Sequence, residues 1–190
     1  VSVTHDRHAL AAGPEGFEDG TPAFTLAGAV PLALEALRAA GRSGWSRQAL
    51  RLTERVLDGM RVARHPDGRP MVQLHGPASM AQRGPTIAFS LHRGDGTAVP
   101  YWDAEARARD AGIALRGGCF CNPGCAEHAF GLGSPGTVAC LDTLGAAFSV
   151  ERLSHCLGGQ AVGALRVSLG LGSVDRDVDR FLALLPALAT

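Results

Sequence analysis

The stretch Leu115–Cys125, LRGGCFCNPGC, puts an arginine and three cysteines into one glycine-rich segment. Such a segment can hold a metal, form disulfides, fill a core, or supply one reactive thiolate beside a cation. The preceding IALR (113–116) reads as a short strand, which places Cys121 in a turn just beyond it. Gly117 and Gly118 permit unusual backbone angles or the close approach of a ligand. A short helix is expected after Gly124, and its N-terminal N–H groups lend positive potential to the turn. With Arg116 nearby, these influences lower a thiol pKa and raise the thiolate fraction. Cysteines are also ordinary small apolar core residues, so the cluster alone leaves both readings open.

Metal binding is the first rival. Cys119, Cys121, Cys125 and His128 make a C-x-C-x3-C-x2-H pattern, with Cys140, His155 and Cys156 downstream. Structural zinc sites pair their ligands as C-x2–4-C with a well separated second pair, and this spacing is poor for that. No metal site is assigned.

Working outward, YWDAEARARDAG (101–112) reads as a helix with Asp103 as its N-cap and Gly112 at its end. PTIAFSLH (85–92) is a strand bounded by Pro85 and the turn RGDG, and MVQLHG (71–76) is another. In TLAGAVPLALEALRAAG (25–41), Leu26, Ala29, Val30, Ala33, Leu34 and Leu37 share one helical face, Pro31 fits near the helix start or at a kink, and Gly41 ends it. WSRQALRLTERVLDGMRVA (45–63) repeats the pattern with Leu50, Leu57 and Met60 inward. SVERLSHCLGG (149–159) is a helix capped by Ser149, and ALRVSLGLGS (164–173) is a strand. A last amphipathic helix runs to Leu188, capped by Ser173 with Asp175 and Asp177 in its first turn. The class is α/β or α+β, helices packed on a small mixed sheet.

At 190 residues the chain suits one ordinary domain, with room for a small appendage. Its 46% hydrophobic and 19% charged residues exclude a disordered chain. Acidic and basic residues balance at 18 each, so no global field recruits nucleic acid or an anionic membrane. No run of 18 apolar residues and no charged leader is seen, which makes the cytoplasm the expected location. Five cysteines, three of them crowded, do not look like a secreted disulfide scaffold. All 18 basic residues are Arg, so this chain has no lysine amine with which to form an internal Schiff base.

Two further segments carry chemistry. In GALRVSLG, Arg166 sits among apolar Leu165, Val167 and Leu169, which suggests burial. A buried arginine needs a partner, either an ordinary salt bridge or a carboxylate gripped by its planar fork. In FEDGTP, Gly20 and Thr21 offer a backbone N–H, a hydroxyl and a tight turn, suited to a phosphate contact.

In chain order, FEDGTP, LRGGCFCNPG and LRVSLG followed by an Asp-rich helix resemble the C-terminal part of class V aminotransferase-fold pyridoxal-phosphate enzymes. The nearest branch is that of the molybdenum cofactor sulfurases, relatives of the cysteine desulfurases. Its R-x-G-x-x-C pattern falls on Arg116, Gly118 and Cys121, with the flanking CFCN. GPTIAFSLHRGDGTAVPYW and GTVACLD match at fitting distances, so the resemblance runs from about Phe17 to the last helix. It implies the small C-terminal domain of a fold-type I transferase over 26–190, and over 1–25 a loop from the edge of a large cofactor domain that lies elsewhere.

The resemblance also implies a mechanism. Cys121 takes sulfur from L-cysteine as a persulfide, Arg166 holds the substrate carboxylate, and Arg116 assists. Gly20 and Thr21 reach the phosphate of pyridoxal 5'-phosphate, in the family that of the neighbouring subunit of a homodimer. The sulfur acceptor in sulfurases is the molybdenum cofactor. Because the family's lysine is missing here, the chain is expected not to be competent alone. A non-catalytic scaffold, or another class V transferase or lyase, would keep the same framework.

Overall fold

The computed structural model describes residues 2–3, 8–9, 12–13, 23–119 and 123–190. Gly20, Thr21 and Cys121 lie outside the described residues. The chain divides into two units, Val1–Gly44 and Trp45–Thr190.

In the first unit, β1 (Ser2–Val3) pairs antiparallel with β2 (His8–Ala9). Helices α1 (Phe24–Ala27) and α2 (Ala29–Ala39) follow. The helix expected over this stretch is interrupted at Gly28, the N-cap of α2. Pro31 falls in the first turn of α2, where a missing N–H breaks no helical bond. Gly41, at φ +75°, ends the helix as the sequence suggests, in the left-handed region open to glycine. Leu26, Val30, Leu34 and Leu37 are all exposed.

Helix α3 (Arg42–Val62) leads into the second unit. Its buried face is Ala49, Leu52, Val56, Leu57 and Met60, each at most 1% exposed. Leu50, expected inward, is instead 38% exposed, because it lies one step round the helix from that face. Then come β3 (Val72–His75), β4 (Thr86–His92), β5 (Ala98–Val99), α4 (Tyr101–Asp110) and β6 (Arg116–Gly118). Helices α5 (Pro123–Phe130), α6 (Pro135–Leu144) and α7 (Val150–Cys156), strand β7 (Ala164–Ser168) and α8 (Asp175–Leu188) complete it.

The sheet runs β3-β4-β7-β6, with β5 also on β4, and every pairing is antiparallel. The expected α+β character holds, while the mixed sheet is corrected to an antiparallel one. One face of the sheet is apolar: Ile87, Phe89 and Leu91 of β4 and Leu165 and Val167 of β7 join the core. Against it pack Leu52, Val56 and Met60 of α3, Ala104 and Ala108 of α4, and Val178, Phe181 and Leu185 of α8. The opposite face carries the polar residues of the same strands, as period-two alternation requires.

Ser149 caps α7 as expected, accepting from the Arg152 N–H. Helix α8 departs by one residue: its N-cap is Val174, and Ser173 instead accepts the Gly170 N–H through Oγ at 2.9 Å. The N-cap of α4 is Pro100, with Asp103 in the first turn. Helix α6, capped by Ser134 with Pro135 leading, carries no clear apolar period in its sequence. A Cys140–Cys156 disulfide joins it to α7, a bond that spacing did not foretell.

Helices α3 and α8 are tied at the surface. Arg51 holds Asp175 at 2.7 Å and Arg55 holds Asp179 at 2.6 Å, with Arg55 also on Asp175. The Arg51 hydrogen bond, with Arg55 beside it, pulls the Asp175 carboxyl down to about 2. An unfolded aspartate titrates near 4, so this contribution is whole above about pH 4 and is lost as pH falls through about 2. The acid limb of a denaturation-midpoint profile should therefore flatten in Asp175→Asn. An unchanged limb would mean the ion pairs are idle.

Candidate functional site

The polar face of the sheet is where the chemistry collects. In β7, Leu165 and Val167 point into the core, so Arg166 between them points out and is exposed. The expected burial of Arg166 is corrected for that reason: apolar neighbours at adjacent strand positions line the opposite face. Strand register then sets Arg116 of β6 directly opposite Arg166, with Ala88 on its other side and His75 beyond. Two sequence-distant arginines become cross-strand neighbours.

Among the described residues, neither guanidinium has an ion pair or a side-chain hydrogen bond, whereas Arg51, Arg55, Arg61 and Arg69 all have acidic partners. Like charges directly opposite cost roughly 0.2–1 kcal/mol. An anion seated on both would turn that repulsion into attraction, and the planar forks suit a carboxylate. Thr86 and Ser168 flank the pair, their hydroxyls 3.2 Å apart. On the far side His75 Nε2 lies 2.8 Å from Ser90 Oγ and meets Phe130 of α5 edge-on at 5.3 Å. Burial, and then the charge of His92, push the His75 pKa down, so the ring sits neutral there.

The expected strand at IALR is shifted to Arg116–Gly118, because β6 extends only as far as β7 offers partners from Ala164 to Arg166. Gly117 and Gly118 therefore belong to the strand end rather than to the turn. Their roles differ. Gly118 adopts φ +149°, a conformation that disfavours other residues. Gly117 is needed for space: a Cβ there would lie 2.2 Å from Cδ2 of Tyr101. The close approach anticipated for a ligand is made by an aromatic ring of α4.

Cys119 follows directly. Its Sγ donates to the Val162 carbonyl at 3.0 Å, and burial pushes its thiol pKa up. It is thus a poor thiolate. Cys125 is exposed on α5, a helix that begins two residues after Cys121 in sequence. Cys140 and Cys156 are consumed by their disulfide, and no three His, Cys, Asp or Glu side chains gather as a metal site among the described residues. Of the residues singled out from sequence, Arg116 and Arg166 are brought together; Cys121, Gly20 and Thr21 lie outside the described residues. Nothing in the sequence marks Tyr101. A tyrosine opening a helix gives no sign by itself of two glycines beneath it.

No family model matches the chain. A molybdenum cofactor sulfurase of Solanum lycopersicum is 31% identical over 168 residues, covering 88% of this chain and 20% of that protein. One from Drosophila mojavensis is 32% identical over 188 residues, covering 90% and 23%. The apo cysteine desulfurase of Thermococcus onnurineus NA1 shares the fold, with a TM-score of 0.55 at 22% identity over all of this chain and 37% of that one. The chain spans about a fifth of the length of the curated relatives it matches.

Proposed function

The chain is a relative of one section of the molybdenum cofactor sulfurases, and from that premise we propose that it is the sulfur-carrying part of a pyridoxal-phosphate-dependent sulfurtransferase acting on L-cysteine. The observation that supports this most is the Arg116–Arg166 couple, exposed on the polar face of the sheet and without an ion-pair partner among the described residues, with Arg116 five residues before Cys121 in sequence. It is a receptor for a small carboxylate, held by charge-assisted hydrogen bonds in a fixed plane.

In this reading Arg166 grips the substrate carboxylate and Arg116 completes the fork. The Cys121 thiolate attacks the substrate sulfur. The S–S bond of a persulfide forms as the Cβ–S bond of L-cysteine breaks, and the electron pair left on carbon takes up a proton to give alanine. Pyridoxal phosphate supplies the electron sink for that cleavage when bound. The described residues do not make its cradle: the chain contains no lysine, and Gly20 and Thr21, assigned to its phosphate, lie outside them. The amine must come from beyond these residues, so the chain by itself is not competent. Cys121 is assigned as the carrier because it holds the cysteine position of the R-x-G-x-x-C pattern, while the Cys119 thiol donates to Val162 and is kept neutral by burial. The acceptor is the molybdenum cofactor or another thiophilic substrate, and the homodimer brings Thr21 to the neighbouring subunit's cofactor.

Mass analysis of the complete, cofactor-loaded protein after L-cysteine should find one added sulfur on the peptide containing Cys121, and none in Cys121→Ala. Alanine release that survives this substitution would overturn the assignment. A protein that releases no alanine in any form would favour the scaffold reading instead.

A further inference from the structure

On the apolar side of the sheet, opposite the arginine pair, one aromatic ring occupies the joint between the two strands that carry them. Gly117 pairs with Leu165, and Gly163 precedes β7 two residues before Leu165, so both glycines present the same face. A Cβ on Gly117 would stand 2.2 Å from Tyr101 Cδ2 and 3.0 Å from Cε2. A Cβ on Gly163 would stand 2.7 Å from Cε1 and 2.8 Å from Cδ1 of the same ring. One edge of the ring lies over one strand, the other edge over its neighbour. An added methyl group would overlap the ring at both sites, and at Gly163 it would also stand 2.9 Å from the Gly118 carbonyl oxygen.

The ring is partly buried at the start of a helix that is itself anchored in the core. Tyr101 opens α4, whose Ala104 and Ala108 are 0% exposed in the main core. Trp102 meets it edge-on at 5.1 Å. Glu105 Oε2 closes the same space, 2.9 Å from the position a Gly117 Cβ would take. Immediately beyond the ring, the two strand ends are linked again where Cys119 donates to Val162, which is 2% exposed. The Tyr101 hydroxyl makes no hydrogen bond among the described residues, so the ring rather than the hydroxyl is the working part. Burial first, and then Cys119, Glu151 and Glu105, push its pKa up, and it stays neutral.

We propose that Tyr101 is a positioning residue for sulfur transfer: its ring, wedged on Gly117 and Gly163, fixes the end of β6, which stands three residues before Cys121 in sequence. The idea rests on the sulfurtransferase reading. A nucleophile misplaced by about 1 Å can lose about a hundredfold in rate, and this wedge lies within four residues of Cys121 in sequence. The carboxylate receptor is on the other face, so removing the ring should act on the chemical step and spare substrate binding.

The test uses the complete, cofactor-loaded protein in four forms: Tyr101→Phe, Tyr101→Ala, Gly117→Ala, and Tyr101→Ala with Gly117→Ala. Alanine release should fall at least about tenfold in kcat for Tyr101→Ala, with KM for L-cysteine within about twofold. Tyr101→Phe should restore near-normal kcat. Gly117→Ala should be damaging beside the ring and much milder without it, because the methyl then enters the vacated space. If Tyr101→Ala does not accumulate as folded protein, Tyr101→Leu is measured in its place. Equal loss in the Phe and Ala forms, a rise in KM as large as the fall in kcat, or strictly additive effects at 101 and 117 would each overturn the proposal. The coupling between 101 and 117 is also read in thermal midpoints. That measurement stands if the activity proves to be something else, so failure of the wedge and failure of the sulfurtransferase reading are distinguishable.

Discussion

Arg166→Ala is expected to cut kcat/KM for L-cysteine by roughly 10- to 100-fold while leaving the folded protein no less stable. The kinetic loss follows from removing a charge-assisted hydrogen-bond donor to a carboxylate, about 1.5–3 kcal/mol. The stability result follows from register. Arg116 and Arg166 face one another across β6 and β7 with no acidic partner among the described residues. Deleting one guanidinium relieves like-charge repulsion of roughly 0.2–1 kcal/mol and empties no core space, because the side chain is exposed. Arg116→Ala should behave alike with a smaller kinetic loss. The checks are steady-state alanine release and a denaturant midpoint measured without substrate. A variant that unfolds more readily and keeps its KM would show that Arg166 is a structural cation, not a receptor.

Phe89→Ala is the other large effect. Phe89 is 0% exposed at the centre of β4 and meets Phe181 of α8 edge-to-face at 6.0 Å. Truncating a buried phenylalanine costs about 3–5 kcal/mol through lost transfer energy and the cavity left behind. For a unit of this size, each kcal/mol lowers Tm by about 2–4 °C, so a fall on the order of 10 °C is expected. Total stability of a domain is only about 5–15 kcal/mol, so the variant should fold marginally. A loss below about 1.5 kcal/mol would mean that the sheet and α8 do not share the tight core described here.

Much of the fold was legible because local rules and tertiary packing agree. Pro85 and the turn RGDG bound β4, and the 3.6 period in 45–63 marks α3, although Leu50, inward by that period, is exposed. Ser149 announces α7 because a hydroxyl that accepts from the third helical N–H is a strictly local device. Where the deciding contact is distant, sequence reading fails. Helix α6 and the Cys140–Cys156 bond depend on packing between segments that carry no clear period of their own. The end of β6 depends on where β7 stops offering partners.

The site divides in the same way. Its residue types follow from sequence alone: an arginine and three cysteines in a glycine-rich segment, an arginine inside an apolar strand, and no lysine anywhere. Side-chain chemistry is a property of the residue, so the exclusion of an internal Schiff base and the candidacy of Arg116 and Arg166 needed no structure. Only the tertiary structure decided that those two arginines are neighbours, that Arg166 faces outward, and that Gly117 makes room for Tyr101. The reason is geometric. Which face a strand residue occupies, and what stands opposite it, depends on register with a strand some fifty residues away, and a one-residue slip would reverse every side.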